Sequence, residues 1–238
     1  MTRRALVFQH MDFDSPGRFG NYLMDDGFVL DTVMLGQGQA IPNLEQYDFL
    51  MVLGGVMNVW EEDVHPWLRA EKSAIAEWID GSRRPYLGIC LGHQLLAETQ
   101  GGAVGKSPVP EIGIHEIRLH ESLAGDDPAG ALGERLLVTQ WHHHEVSTPP
   151  PSAVVIAESS VTPVQGIRLE ERAIGLQFHA EWTLDVIENW ANEAGHKEAY
   201  EEELGAGAHQ KLLADAAQMM TEYERFGRLV YDKLMSNI

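Results

Sequence analysis

The sequence predicts an α/β fold with a mostly parallel central sheet, extra β-strands in the second half and a helical C-terminal extension. Three observations carry that prediction. Short apolar runs alternate with longer amphipathic stretches over the first hundred residues, the rhythm of parallel strands joined by crossover helices on both faces of a sheet. The middle of the chain holds closely spaced strand patterns without helices between them. The tail beyond Thr183 is helical in composition, with Leu212, Ala216, Met219, Tyr223 and Val230 recurring at helical spacing.

Taken in order, Ala5 to Phe8 reads as a buried strand and Phe19 to Asp26 as a short helix stopped by Gly27. Phe28 to Val33 and Tyr47 to Leu53 are further strands, the latter ended by Gly54-Gly55. Pro66 to Asp80 has the spacing of a helix, with Trp67, Ala70, Ala74, Trp78 and Ile79 near one face; Pro66 suits its first turn and Gly81 its stop. Pro85 to Ile89 is the fourth strand, followed directly by a helix over Leu91 to Thr99. Gly113 to Leu119, Arg135 to Val138, Ala153 to Ala157, Val164 to Leu169 and Ala173 to Gln177 complete the strands, with a rigid turn at Pro149-Pro150-Pro151. With no repeat and no low-complexity linker, a single domain over 1–238 is expected, its core at about 1–183 and the helical extension at about 184–238.

The chain has 238 residues, 44% of them hydrophobic and 22% charged, an ordinary globular balance. Its net charge of −19 argues against general binding to nucleic acid or to an anionic membrane, which are polyanions themselves. The lone cysteine, Cys90, excludes an internal disulfide and any multi-cysteine metal site. The four apolar residues after Met1-Thr2-Arg3-Arg4 are too few for a signal peptide, and no run approaches a membrane span, so a cytoplasmic location is expected.

The chemistry centres on Gly88-Ile89-Cys90-Leu91-Gly92-His93-Gln94, a Gly-x-Cys-x-Gly segment between a strand and a helix. A sharp turn there exposes the nucleophile, the flanking glycines leave room for the turn, and the helix amino end favours a thiolate. The Leu91 N–H then points where an oxyanion forms. A thiol needs a base, and the base an orienting acceptor. His179 and Glu181, in Gln177-Phe178-His179-Ala180-Glu181, follow a strand end one residue apart and can face one site; His93 and His143 are the next candidates for the base. Gly54-Gly55 ends a strand and reads either as a tight turn or as a second oxyanion donor through Gly55.

These three motifs, in this order and approximate spacing, resemble class I (triad-type) glutamine amidotransferases, above all stand-alone members related to the amidotransferase domain of GMP synthase. Glu111-Ile112-Gly113 and Gln140-Trp141-His142 are similar to the same subgroup. The resemblance implies a flavodoxin-like three-layer fold and a Cys-His-Glu triad. That triad would attack a glutamine amide, form a γ-glutamyl thioester and release ammonia. It implies Cys90 as nucleophile, His179 as base, Glu181 as its partner, Gly55 and Leu91 as oxyanion donors, and Gln94 in the glutamine pocket. Gly54, Trp141, His142 and His143 would border that pocket. Ala180, Val56 and His143-His144-Glu145 stand where the family usually has Pro, Pro and Gly-Asp.

Two other motifs carry less. Gly105-Lys106-Ser107 lacks the first glycine of a phosphate-binding loop, since Gln100 stands there. His142-His143-His144-Glu145, read as a strand, alternates between two faces and does not converge on one ion. No cofactor is expected, neither metal nor ATP. The expected reaction is hydrolysis of a small γ-glutamyl amide to glutamate and ammonia or an amine. The alternatives are a glutaminase subunit feeding a separate synthase, and a non-catalytic binding protein on the same fold. The tail helix is expected to pack on its own domain, with a homodimer contact as the second choice.

Overall fold

The computed structural model describes residues 2–120, 123, 133–192 and 195–236; Met1 and residues 193–194 and 237–238 of the predicted extension lie outside them. The elements, in chain order, are strand β1 (Arg4–Gln9), helix α1 (Gly17–Asp25), β2 (Val29–Met34), β3 (Phe49–Val52), α2 (Trp67–Gly81), β4 (Tyr86–Ile89) and α3 (Leu91–Thr99). Then come β5 (Ala103–Leu119), β6 (Arg135–Thr148), β7 (Ala153–Ser159), β8 (Gly166–Leu169) and β9 (Ala173–Leu176). Three helices follow: α4 (Leu184–Asn192), α5 (His196–Leu204) and α6 (Ala208–Met235).

All nine strands form one sheet in the order β2-β1-β3-β4-β9-β8-β7-β5-β6. From β2 to β9 the neighbours run parallel; from β9 to β6 they run antiparallel. The alternation of side chains along β1 sorts the layers. Ala5 and Val7 join a core with Phe19 and Leu23 of α1 and Met219, Tyr223 and Phe226 of α6. Leu6 and Phe8 join the opposite core with Ile75 and Trp78 of α2 and Leu91 and Leu95 of α3. The result is the three-layer α/β arrangement read from the sequence.

Strands β1 and β7 run two residues beyond their predicted bounds, and β5 and β6 run ten beyond theirs. Gly113–Leu119 and Arg135–Val138 are the ends of a long antiparallel ribbon, β5 with β6. Gly105, Pro108 and Pro110 read as turn residues, but they sit in a strand whose register shifts between Lys106 and Glu111, and a bulge absorbs what would otherwise break the ladder. Gly105-Lys106-Ser107 is therefore strand, not phosphate loop. Helix α1 starts two residues before the expected Phe19, with Pro16 already at a helical φ of −65°.

The tail folds back on its own chain. Leu212, Ala216, Met219, Tyr223 and Val230 are all buried. The Tyr231 hydroxyl donates to Asp26 Oδ2 at 2.7 Å, tying α6 to the end of α1. Helices α4 and α5 and the start of α6 share a smaller core of Ile112, Trp182, Ile187, Trp190, Tyr200 and Leu212. Among the described residues no helix is long and apolar enough to cross a membrane.

Candidate active site

The site sits at the carboxyl ends of β3, β4 and β9, where open α/β sheets place their ligands. Cys90 follows β4 in a left-handed conformation, φ +50° and ψ −102°. Such a backbone costs ~1–3 kcal/mol for a non-glycine residue and persists only where the surroundings impose it. Here its N–H donates to Leu176 O at 2.8 Å, and its carbonyl accepts from Gln94 N at 3.1 Å as α3 begins. The flanking glycines are needed for close approach. A Cβ on Gly88 would lie 2.5 Å from Gly92 O, and one on Gly92 2.2 Å from Val52 O. Any side chain at either position would push strand, helix and elbow apart.

The pairing of β4 with β9, Gly88 opposite Gly175 and Ile89 opposite Leu176, brings the second motif beside Cys90. His179 Nδ1 hydrogen-bonds Glu181 Oε1 at 2.7 Å, with both side chains buried. Nδ1 is thus engaged, and Nε2 is the ring nitrogen left for Cys90. Burial opposes a charge on His179, but the Glu181 carboxylate and the Cys90 sulfur outweigh it and raise its pKa well above 6.5. Burial also pushes Glu181 up against the pull of His179. The two directions agree that the pair holds a proton tightly. The imidazole is stacked on Trp182 at 4.3 Å. Its backbone is fixed by His179 N–H to Thr139 O at 3.0 Å and by the Tyr223 hydroxyl donating to His179 O at 2.7 Å.

Gly54 and Gly55 face the same point. A Cβ on Gly54 would lie 3.0 Å from His179 Cε1 and 3.5 Å from Cys90 Cβ, in the gap between sulfur and imidazole. The Gly54 carbonyl accepts from His10 Nδ1 at 2.7 Å, and His10 Nε2 reaches Glu71 Oε1 at 2.8 Å. Both partners are acceptors, so both ring nitrogens donate and His10 is an imidazolium. Burial opposes that charge, and Glu71 overcomes it, raising the His10 pKa. In a trans peptide the Gly55 N–H points opposite to the Gly54 carbonyl. The hydrogen bond from His10 therefore turns the Gly55 N–H away from itself, as an oxyanion donor requires.

Two cavities open on Cys90 and share Gly55, Val56 and Trp141. The first, of about 340 Å³, is also walled by Gln94, His142, His143 and His144. The second, of about 230 Å³, is walled by Asp14, Phe13, His179, Trp182 and Trp190. Gln94 donates to Gln177 Oε1 at 3.0 Å, and Gln177 Nε2 donates to Cys90 Sγ at 3.6 Å. The ring of His142 lies 3.4 Å from Glu111, while that of His143 lies 3.7 Å from Glu203 of α5. Those two histidines turn to different carboxylates, as alternation along β6 requires. His93 is fully buried, and burial lowers its pKa to about 3; its Nδ1 packs 2.7 Å from the place a Gly175 Cβ would take.

Of the residues expected from the sequence, Gly55, Cys90, Gln94, Trp141, His142, His143 and His179 line the two cavities; Gly54 packs against His179 and Cys90, Glu181 and Leu91 are buried, and His93 borders neither cavity. Gln177, His10, Glu71, Asp14, Trp182 and Tyr223 were not assigned roles from the sequence. Gln177 opens the His179 motif and Trp182 follows it, and that adjacency is the signal the sequence offers for them. Asp14, His179 and Glu181 offer ligand atoms within 4.8 Å of one another, but an ion there would have to displace the His179–Glu181 hydrogen bond.

The family described as glutamine amidotransferase class-I matches residues 23–189. The glutamine amidotransferase-like protein YfeJ of Salmonella typhimurium is 30% identical over 214 residues, 88% of this chain and 86% of its own. A subunit of the glutamine-hydrolyzing GMP synthase of Thermococcus kodakarensis is 38% identical over 129 residues, 52% of this chain and 67% of its own. A glutamine amidotransferase from Thermotoga maritima, solved as a crystal structure, superposes with a TM-score of 0.83 at 27% identity, covering 99% of this chain and 98% of its own. The chain belongs to the class I glutamine amidotransferase family.

Proposed function

We propose that the protein hydrolyses a γ-glutamyl amide through a γ-glutamyl thioester on Cys90, releasing glutamate and an amine or ammonia. The observation that carries this reading is the strained elbow at Cys90 beside a buried His179–Glu181 pair at 2.7 Å. Cys90 Sγ attacks the amide carbon with its proton already held on His179 Nε2. The carbonyl oxygen becomes an oxyanion and receives the Gly55 and Leu91 N–H groups. The C–N bond then breaks, its electron pair stays on nitrogen, and His179 returns the proton to the leaving amine. Water attacks the thioester with His179 again as base, the C–S bond breaks, and the thiol regains its proton. Glu181 orients the imidazole throughout and stabilises its charge. Gln94, Trp141, His142 and His143, with Gly54 at the base, hold the glutamyl part.

A second reading is a glutaminase that delivers ammonia to a separate synthase. The likeness to a GMP synthase subunit favours it. The lone thiol at the centre of either mechanism calls for a reducing compartment, in keeping with the cytoplasm. The test is intact-protein mass spectrometry during turnover of a panel of γ-glutamyl amides. A glutamyl adduct on Cys90, lost in Cys90→Ser together with turnover, is expected. Turnover retained in Cys90→Ser, or labelling of another residue by a glutamine-like electrophile, would refute the mechanism.

A further inference from the structure

We propose that the cavity on the imidazole side of Cys90 is a subsite for the departing amine, shaped for an alkylamine that carries an aromatic group. The inference rests on the hydrolase reading above and names its substrate class. Two cavities meet at Cys90, and of these the second is the one walled by His179. When the C–N bond breaks, the electron pair stays on nitrogen and His179 supplies the proton. The nitrogen and its substituent therefore lie on the His179 side. The glutamyl part is left with the other cavity, where Asn58, Gln94 and the β6 histidines offer polar partners.

The walls of the amine cavity are aromatic and packed on one another. Phe13, Trp141, Trp182 and Trp190 line it. Trp182 is stacked on His179 at 4.3 Å, and Trp190 on His196 at 4.9 Å. Trp141 meets Trp190 at 4.8 Å, and Phe13 meets the edge of His196 at 4.7 Å. Ammonia is as small as water, whose share of liquid volume is ~30 Å³. The cavity has about 230 Å³, several times what ammonia alone needs and enough for one more ring among these. Offset and edge-to-face contacts with aromatic walls are the interactions such a ring would make.

Asp14 supplies the polar end. It is 4% exposed, and its Oδ1 accepts from Trp182 Nε1 at 3.3 Å. Its Oδ2 lies 2.8 Å from the place a Gly54 Cβ would take, at the gap between Cys90 and His179 where the nitrogen departs. An alkylamine leaves neutral with the proton from His179, takes up a second proton from water at neutral pH, and the Asp14 carboxyl is placed to hold the resulting ammonium. Trp190 belongs to α4 and His196 opens α5, so the extension beyond the catalytic motifs builds the outer wall. It stands on the side from which ammonia would leave toward an acceptor.

The experiment compares kcat/KM for γ-glutamyl benzylamide and for glutamine, with benzylamine and ammonia measured separately. A benzylamide-to-glutamine ratio above one is expected for the unaltered protein. That ratio should fall about tenfold or more in Trp190→Ala. Because Trp190 is only 6% exposed, Phe13→Ala serves as a second variant and should lower the same ratio. A ratio below one in the unaltered protein, or one that neither variant moves, overturns the subsite. If glutamine alone is turned over, the hydrolase reading stands and the subsite falls. If neither compound acylates Cys90, both fall together.

Discussion

His93 should make the protein acid-sensitive over a defined pH window. It lies in α3, fully buried, and neither ring nitrogen has a hydrogen-bond partner by geometry among the described residues. Burial and the neighbouring His142 lower its pKa from 6.5 to about 3. The folded protein therefore holds a neutral imidazole down to that pH, whereas the unfolded chain takes up a proton below 6.5. Between these limits the unfolded state binds more protons, so stability falls as the pH falls. The slope for one group is ~1.4 kcal/mol per pH unit, which amounts to ~2 kcal/mol by pH 5 and ~5 kcal/mol over the whole window. Other titrating groups contribute as well, so the assay is a difference. Urea unfolding of the unaltered protein and of His93→Leu, repeated from pH 7.5 to 5, isolates the contribution of this residue. Leucine removes the titration without adding a buried polar group. The unaltered protein should lose ~2 kcal/mol more than the variant across that range. A difference independent of pH would refute the argument, because it would mean that His93 keeps its ordinary pKa in the folded state.

Three further outcomes follow from the site and its supports. Tyr223→Phe removes the hydroxyl that donates to His179 O at 2.7 Å and lies 3.1 Å from Thr139 Oγ1; a loss of ~1–3 kcal/mol is expected in denaturant unfolding, with kcat falling more than KM rises. Glu71→Gln leaves His10 unable to donate from both nitrogens once it deprotonates. With burial no longer opposed by the Glu71 carboxylate, His10 should stay neutral at neutral pH and the variant should lose kcat there, recovering in part as the pH falls, while a pH profile like that of the unaltered protein would remove His10 from the oxyanion argument. Deleting residues 207–238 removes Leu212, Met219, Tyr223, Phe226, Val230 and Leu234, all buried in the intact chain, and bares the apolar faces they cover. At ~1.5–3 kcal/mol per side chain this approaches or exceeds the ~5–15 kcal/mol that holds a domain together. Calorimetry should show no cooperative transition for the truncation, and light scattering of the intact protein tests whether the same helix also joins two copies.

What was legible in the sequence is what is local. The elbow was readable because Gly88, Cys90 and Gly92 lie within five residues, and each glycine answers a contact at that turn. His179 and Glu181 were readable as a pair because a strand end delivers both to one place. The long ribbon was cut short because Gly105, Pro108 and Pro110 carry turn chemistry, and a register shift that accommodates them has no signature of its own. His10, Glu71 and Asp14 were not found because nothing near them in sequence marks them. His10 meets Glu71 across 61 positions, and Trp182 reaches Asp14 across 168. Only the strand order that sets β1 beside β3, and β4 beside β9, closes those distances.

The same strand order explains why the tail matters to chemistry that it does not perform. Strand β9 is the last parallel strand, and the chain leaves it through His179 and Glu181 before any helix forms. A segment leaving a strand end has no ladder to hold it, and its backbone polar groups need other partners. Thr139 of β6, Arg18 of α1 and Tyr223 of α6 supply them: His179 N–H goes to Thr139 O, Arg18 N–H goes to Glu181 O, and the Tyr223 hydroxyl closes on His179 O. Each partner arrives from a different part of the chain. His179 is therefore fixed only after the ribbon, the first helix and the last helix have all docked. A protein with an intact elbow but an undocked α6 would keep Cys90 in place and lose the hydroxyl that holds the carbonyl of His179.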